Sequence, residues 1–262
     1  MPHSAPGRGP PRQSRASVVL WDLPTRLFHW SLVVCTVSAC ASAQLGGDSA
    51  LRLHFLSGYA VLTLVGFRLL WGFAGPQYAR FGQFVRGPAA TLGYAASLLR
   101  GRQGAYAGYP GHNPLGALSV LALLAVCATL AGSGLFARDD IASEGPLARL
   151  VSEALVGRCT RLHAWGEVIL YTLVALHLCA LAFYRLVQGE DLVLPMLTGR
   201  KALRALAGSA QGPRQAGVEP CAAHADASGG AEAQTCDDAR TRARALLLLG
   251  LCAALVAYLV HL

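Results

Sequence analysis

Four of the eight histidines stand inside or at the edge of long apolar runs: His29, His54, His163 and His177. An ionisable ring in such a setting is costly, so each of the four is a candidate for a functional role. His163 and His177 belong to one run, HAWGEVILYTLVALH, and on an α-helix they share a face about 21 Å apart along the axis. A neutral imidazole binds a metal through one nitrogen. At this separation the two rings would serve two different metal sites.

Five apolar runs are long enough to cross about 30 Å of hydrocarbon as helices, and these runs must position the histidines. Of the 262 residues only 14% are charged and 54% are hydrophobic, which is typical of a membrane protein. The runs cover roughly residues 27–44, 54–73, 115–136, 163–185 and 245–262. The sequence therefore predicts an all-α integral membrane protein, with a four-helix transmembrane bundle and a fifth, C-terminal transmembrane helix.

The basic residues predict the orientation of the chain. The formal net charge is +8, but the arginines are not clustered on a soluble domain, which argues against nucleic acid as a partner. They concentrate in the head, in the loop between spans two and three and in the segment after span four, whereas the first loop has only Arg52. By the positive-inside rule the N-terminus is expected in the cytoplasm.

This distribution divides the chain into four parts. Residues 1–25 are expected to form a disordered cytoplasmic head and leading segment, and residues 26–186 the four-helix transmembrane domain. Residues 187–244 are expected to be an amphipathic segment at the membrane surface followed by a flexible linker. Residues 245–262 form the C-terminal transmembrane helix.

The alternating direction of the spans pairs the histidines by depth. His29 begins the first span near the cytoplasmic face, whereas His54 begins the second span near the outer face. The fourth span starts outside, so His163 is level with His54 and His177 is level with His29. Two pairs of imidazoles are what two six-coordinate haem irons need. Since the chain has no C-x-x-C-H motif, the sequence predicts two non-covalent b haems.

Small and basic residues near the histidines are consistent with haem sites. Gly58 and Gly166 follow outer histidines and would leave room for a porphyrin between helices. His112 opens the third span, where it could hydrogen-bond a propionate or a quinone carbonyl, or have only a structural role at the helix start. Four arginines are candidates for propionate or quinone contacts: Arg26 and Arg68 toward the inner side, and Arg52 and Arg161 on the outer side.

Several segments resemble one family of membrane proteins. These are WDLPTRLFHW at 21–30, HFLSGYAVLTLVGFRLLWGFAGPQYARF at 54–81, GHNPLGALSVLALL at 111–124 and the two histidines of span four. Together they resemble the bacterial b561-type cytochromes, which include the cytochrome b subunits of nickel-iron hydrogenases and formate dehydrogenases. The resemblance covers roughly residues 17–205. It implies a four-helix bundle that carries b haem and exchanges electrons with quinone, with His54 and His163 on the outer haem and His29 and His177 on the inner one.

The function expected from these features is electron transfer by a two-haem b-type cytochrome in the bacterial cytoplasmic (inner) membrane. Electrons would pass between the quinone pool and a redox partner, either a hydrogenase, a dehydrogenase or a c-type cytochrome. The chain has no signature of catalytic residues, flavin, nicotinamide, nickel or an iron–sulfur cluster, so it is expected to be an electron-transfer subunit and not a stand-alone catalyst.

Two alternatives from other classes stay open at the level of sequence. One is a self-sufficient superoxide:quinone oxidoreductase, which a basic approach to the outer haem formed by Arg52, Arg158 and Arg161 would permit. The other is a non-redox metal transporter that uses the histidines in transit. The second alternative predicts that no porphyrin is bound.

Overall fold

The computed structural model describes residues 17–100, 111–138, 143–202 and 237–262. The predicted disordered head up to residue 16 and the predicted linker between 203 and 236 lie outside these ranges. The described part contains eight α-helices: α1 (Leu23–Leu45), α2 (Asp48–Ala74), α3 (Phe81–Phe84), α4 (Pro88–Leu99), α5 (Pro114–Gly134), α6 (Glu153–Leu186), α7 (Val193–Thr198) and α8 (Ala239–Val260).

Five of these helices are long and apolar enough to span a membrane: α1, α2, α5, α6 and α8. They correspond in order to the five apolar runs. The predicted fold class, an all-α membrane bundle with a fifth C-terminal helix, is therefore confirmed.

Polar capping residues mark the starts of α1 and α5, just before their apolar runs. The side chain of Asp22 accepts a hydrogen bond from the Thr25 amide at 2.7 Å, and Pro24 occupies the first turn of α1. Asn113 caps α5 in the same way, through the Gly116 amide at 2.7 Å. Helix α6 has 34 residues and is about 51 Å long, so it extends beyond the bilayer core.

Three of the helix–helix interfaces around the four-helix bundle are well packed, and the fourth, which involves α6, is sparse. Helices α1 and α2 form an antiparallel pair joined through Gly46 and Gly47, whose φ angles of 67° and 85° suit glycine. Helix α2 also packs against α5, and α5 against α6, whereas the contacts of α6 with α1 and α2 are sparse. The end of the bundle that carries the α1–α2 turn is called the outer end below, following the predicted orientation, and the opposite end the inner end.

At the inner end of the bundle, a short antiparallel ribbon pairs the segment before α1 with the segment after α7. Strand β1 (Ser17–Val19) pairs with β2 (Arg200–Ala202), and the Leu20 amide donates to the Gly199 carbonyl at 2.8 Å. The sequence does not predict these strands, because three residues are too few to show a periodic pattern. Through this ribbon the segment after α6 packs beside the start of α1.

A polar network also links the helices that meet at the inner end. The Tyr184 hydroxyl of α6 lies 2.9 Å from the Tyr94 hydroxyl of α4 and accepts a hydrogen bond from Asn113 Nδ2 at 2.8 Å. Because Asn113 caps α5, the network fixes the start of that helix and the position of the preceding His112.

Candidate functional site

The outer pair of predicted ligands, His54 of α2 and His163 of α6, lies together in the structure. Their ring centres are 6.1 Å apart and their planes are inclined by 74°. Two imidazoles on opposite sides of one iron, with about 2 Å for each metal–nitrogen bond, have their ring centres roughly 6 Å apart. The observed separation therefore fits a single metal ion between the two rings.

Main-chain carbonyls hold both outer rings in one tautomer. His54 Nδ1 lies 2.9 Å from the Ala39 carbonyl oxygen of α1, and His163 Nδ1 lies 3.0 Å from the Leu130 carbonyl oxygen of α5. Because a carbonyl oxygen can only accept a hydrogen bond, each Nδ1 carries the proton. Each Nε2 is then left with a lone pair for a metal, and this is how second-shell hydrogen bonds commonly orient ligating histidines.

A cavity of about 790 Å³ surrounds the outer pair, between α1, α2, α5 and α6. Gly58 lines it, and no atom lies within 4 Å of the position that a Cβ would take there. This glycine thus leaves open space, as predicted. Gly166 has another role: a Cβ there would lie 2.9 Å from Leu130 Cδ2, so this residue lets α6 approach α5.

Gly134, which is not among the residues predicted from the sequence, also belongs to the outer site. It is the last residue of α5 and lines the cavity. A Cβ there would lie 3.1 Å from His163 Cε1, so a larger residue would press on the imidazole. A glycine at the end of a helix is common, and its sequence position alone gave no signal of this contact.

The arginines at the outer end differ in their position relative to this cavity. Arg52 and Arg161 are exposed, and neither is part of the cavity wall. Arg138 instead lines the cavity, where it forms ion pairs with Glu144 at 3.3 Å and with Glu153 at 2.9 Å. Arg138 reaches the cavity through the way the loop after α5 folds, and the sequence therefore does not predict its position.

A carboxylate within span four, Glu167, also lines the cavity and was missed. One of its oxygens, Oε1, accepts hydrogen bonds from the Tyr171 hydroxyl at 2.7 Å and from Gln44 Nε2 at 3.2 Å. The sequence did carry a signal here, because an acidic residue within an apolar run is a candidate functional residue on the same ground as the histidines.

The inner pair, His29 of α1 and His177 of α6, is also brought together, close enough for the two rings to interact electrostatically. His29 Nδ1 is buried without a hydrogen-bond partner among the described residues. His177 Nδ1 lies 3.5 Å from the Ser119 hydroxyl of α5. A buried imidazole nitrogen without a partner calls for an acceptor or a metal.

His112 lies beside the inner pair, between two aromatic rings. Its ring centre is 4.8 Å from that of Trp21 and 5.0 Å from that of Phe84. Burial, with the nearby Arg68 guanidinium as the next cause, lowers the pKa of His112 to about 3. The ring is therefore neutral at neutral pH and can both donate and accept a hydrogen bond.

Two arginines present unpaired donors at the inner end. The Arg68 side chain is 3% exposed, its guanidinium lies 4.9 Å over the Phe81 ring, and its buried Nη1 has no partner among the described residues. Arg26 donates from Nη1 to the Leu197 carbonyl at 2.8 Å, while its buried Nε finds no acceptor in the described part of the chain. Since buried donors are almost always satisfied, these two atoms call for an anionic or carbonyl acceptor.

The two pairs together suit two haem groups, one at each end of the bundle. The outer site has two imidazoles with free Nε2 atoms and an open cavity. The inner site has two neighbouring imidazoles and guanidinium donors that no described residue satisfies, and such donors fit the propionates of a haem.

Comparison with known proteins identifies a matching family. The model of a family described as prokaryotic cytochrome b561 matches residues 20–199, which include both histidine pairs. Searches of curated proteins and of solved structures found no match.

Proposed function

The chain belongs to the prokaryotic cytochrome b561 family, and on that premise we propose that it carries two non-covalent b haems. It is a multi-pass membrane cytochrome of the b type that acts in electron transfer. The proposed outer haem is bound by His54 and His163, and the proposed inner haem by His29 and His177.

The observation that carries the proposal is the geometry of the outer pair. The rings of His54 and His163 face one cavity with centres 6.1 Å apart, and both Nδ1 atoms are bonded to main-chain carbonyls. A histidine with only a packing role would have no need of a partner ring at metal-binding distance. The sparse packing of α6 against α1 and α2 is a second support, because flat groups would fill the space between these helices.

The protein residues around each site have separable tasks in this proposal. A haem iron, when bound, supplies a couple that gains and loses one electron. The carbonyls of Ala39 and Leu130 keep the outer imidazoles in the tautomer that can bind iron and fix their orientation. The apolar helices exclude water, so the charges and dipoles near each proposed iron would come from the protein and not from solvent.

Arg26 and Arg68 are the proposed partners of the inner propionates, because each has a buried donor that no described residue satisfies. His112, neutral and close to the same site, is a proposed hydrogen-bond partner of a propionate or of a quinone carbonyl. Arg52 and Arg161 are proposed as propionate or quinone contacts on the outer side.

We further propose that electrons cross the membrane through the two sites, between the quinone pool and a redox protein that is a hydrogenase, a dehydrogenase or a c-type cytochrome. The proposed location is the bacterial cytoplasmic membrane, with the N-terminus in the cytoplasm. Histidines at two depths of α6, about 21 Å apart, support this arrangement because they place the two irons in series across the bilayer.

The test is the amount of haem that is bound. Protein purified after expression with ample haem is expected to give two b haems per chain in a pyridine haemochrome assay, and dithionite should reduce both. One haem per chain, or none, would contradict the proposal.

A further inference from the structure

Helix α8 lies outside the residues that match the family model, which end at 199. It nevertheless packs on α2 and contacts α1. Its buried residues Ala245 and Cys252 belong to the same apolar core as Phe28 of α1 and Trp71 of α2. The helix is therefore placed to act on the inner end of the bundle, where α1 begins and α2 ends.

A side chain from α8 completes the cap of α1. The first amide groups of a helix have no acceptor within it, so each needs one from outside. Among the first three residues of α1, Pro24 has no N–H, and the Thr25 amide donates to Asp22 Oδ1 at 2.7 Å. The Leu23 amide donates to Asp237 Oδ2, 214 residues away in the chain, at 3.1 Å. The start of α1 thus depends on a carboxylate that α8 brings to it.

Two arginines of α8 hold this carboxylate in place. Asp237 Oδ1 accepts a hydrogen bond from Arg242 Nε at 2.9 Å, and the Asp237 side chain is only 16% exposed. Arg244 Nη2 donates to the carbonyl of Ala74, the last residue of α2, at 2.7 Å. The side chains of Asp237, Arg242 and Arg244, called the inner clamp below, therefore join the start of α8 to the start of α1 and the end of α2.

The inner clamp adjoins residues of the proposed inner haem site. Arg26 and His29 follow the first residue of α1 by three and six positions, so both lie within about 9 Å of the clamp along the helix axis. Asp22 interacts electrostatically with Asp237 and with the Arg68 guanidinium. Since Asp22 is 1% and Arg68 3% exposed, water does little to screen these charges from each other.

We propose that Asp237 is a positioning residue for the inner haem, which it serves by fixing the first turn of α1 and by adding a negative charge to the inner site. This inference rests on the proposed function, because it concerns the proposed inner haem. A ligand helix that is already ordered binds more tightly, since the ordering cost is met before binding. A nearby negative charge opposes the gain of an electron and so lowers the midpoint potential. The outer haem, roughly 21 Å of helix away, should respond to neither effect.

Two substitutions of Asp237 in the haem-loaded protein separate the hydrogen bond from the charge. Asp237→Ala removes both, whereas Asp237→Asn keeps a side-chain oxygen for the Leu23 amide and removes only the charge. The rate at which each haem passes to excess apomyoglobin is measured, and the inner phase is the one that His177→Leu abolishes. We expect Asp237→Ala to release the inner haem about fivefold faster, which corresponds to the loss of one helix cap, and Asp237→Asn to restore most of the retention.

Redox titration of the same variants tests the charge. Both substitutions should raise the midpoint potential of the inner haem, because the arginines near it lose part of their compensating negative charge. The potential of the outer haem should stay unchanged. A purely structural role of Asp237 would not give Asp237→Asn this change in potential.

Asp238→Asn is the matched control, because it makes the same chemical change at the next residue. Asp238 is exposed and caps α8 itself through the Thr241 amide at 2.8 Å, a role that Asn can also fill. Its charge is screened by water and salt, so both haems should behave as in the unaltered protein. Hydrogen–deuterium exchange of peptides from the start of α1 gives a readout that does not use haem. Exchange there should be faster in Asp237→Ala and unchanged in Asp237→Asn and Asp238→Asn.

The outcomes distinguish this inference from the proposed function. Two haems in Asp237→Ala, with an inner release rate and an inner potential equal to those of the unaltered protein, would overturn the role of Asp237 and leave the haem proposal standing. Equal weakening of both haems would also overturn it, since Asp237 would then support the bundle as a whole. An unaltered protein without haem would overturn both proposals.

Discussion

At the scale of single residues, the Nδ1 atom of each outer histidine lies within hydrogen-bond distance of a main-chain carbonyl oxygen. The sequence alone identifies four histidines as candidate ligands, because ionisable rings in apolar runs are rare. They are His29, His54, His163 and His177. The partners of the two outer Nδ1 atoms could not be predicted, since a main-chain carbonyl has no side-chain signal. The carbonyl oxygens that accept from His54 and His163 belong to Ala39 and Leu130, which look like ordinary apolar residues in the sequence.

Substitution of the histidines in pairs tests which rings share a haem. His177→Leu should remove the inner haem and leave the outer one, so haem content should fall to about half, because roughly 21 Å of helix separates His177 from His163. His29→Leu combined with His177→Leu should lose no more haem than either change alone, since both act on one site. His29→Leu combined with His163→Leu should lose both haems.

Haem content by the pyridine haemochrome assay and redox titration of the remaining haem measure these outcomes. The proposed pairing would be wrong if the first double variant retained no haem while each single variant kept half.

At the scale of helices, the apolar runs gave the number and order of the spans but not their ends. The run at 163–185 is only part of α6, which begins at Glu153 because a helix continues through polar residues once it has started. The close packing of α5 against α6 could not be predicted from the sequence either. It depends on Gly134 and Gly166, each of which meets one particular side chain, His163 or Leu130.

This fit predicts that alanine substitution weakens haem binding at one glycine of α5 and has no effect at another. Gly134→Ala should displace the His163 ring, since the added Cβ would lie 3.1 Å from Cε1. We expect the affinity for the outer haem to fall about tenfold or more, in the range found for changes to the residues that orient metal ligands. Gly132→Ala is the matched control, because no atom lies within 4 Å of its Cβ position.

Titration of haem into the haem-depleted protein gives the two affinities. Equal outer-site affinity in the two alanine variants would show that the contact with His163 is unimportant. The inner haem should bind normally in both.

At the scale of the whole molecule, the fifth helix is an integral part of the described structure. Helix α8 packs on α2 and is held at the inner end, where Asp237 accepts from the Leu23 amide at 3.1 Å and Arg244 donates to the Ala74 carbonyl at 2.7 Å. The sequence predicted that this helix exists but not which helix it contacts. A leucine-rich segment has no polar residue that marks the contacting face.

The predicted orientation of the chain can be tested with reporter fusions. Alkaline phosphatase fused after Leu262 should be active, because α8 begins at the inner end and the positive-inside rule places its C-terminus outside. The matched control is a fusion after Gln188, directly after α6, which should be inactive because that end is predicted to be cytoplasmic. The reverse pattern of activities would invert the proposed orientation.

The position of α8 on α2 can be tested by a disulfide that uses a native cysteine. A Cβ at Gly66 would lie 3.9 Å from Cys252 Cβ and 3.5 Å from its Sγ. Disulfides require a Cβ–Cβ separation of about 3.5–4.5 Å. Gly66→Cys should therefore form an intramolecular disulfide with Cys252 under mild oxidation in membranes. Proteolysis and mass spectrometry should find the two peptides joined in monomeric protein, and adding Cys252→Ser should abolish the link. A disulfide found only in dimers would mean that α8 packs on a neighbouring chain, and no disulfide at all would mean that the two helices do not meet at these residues.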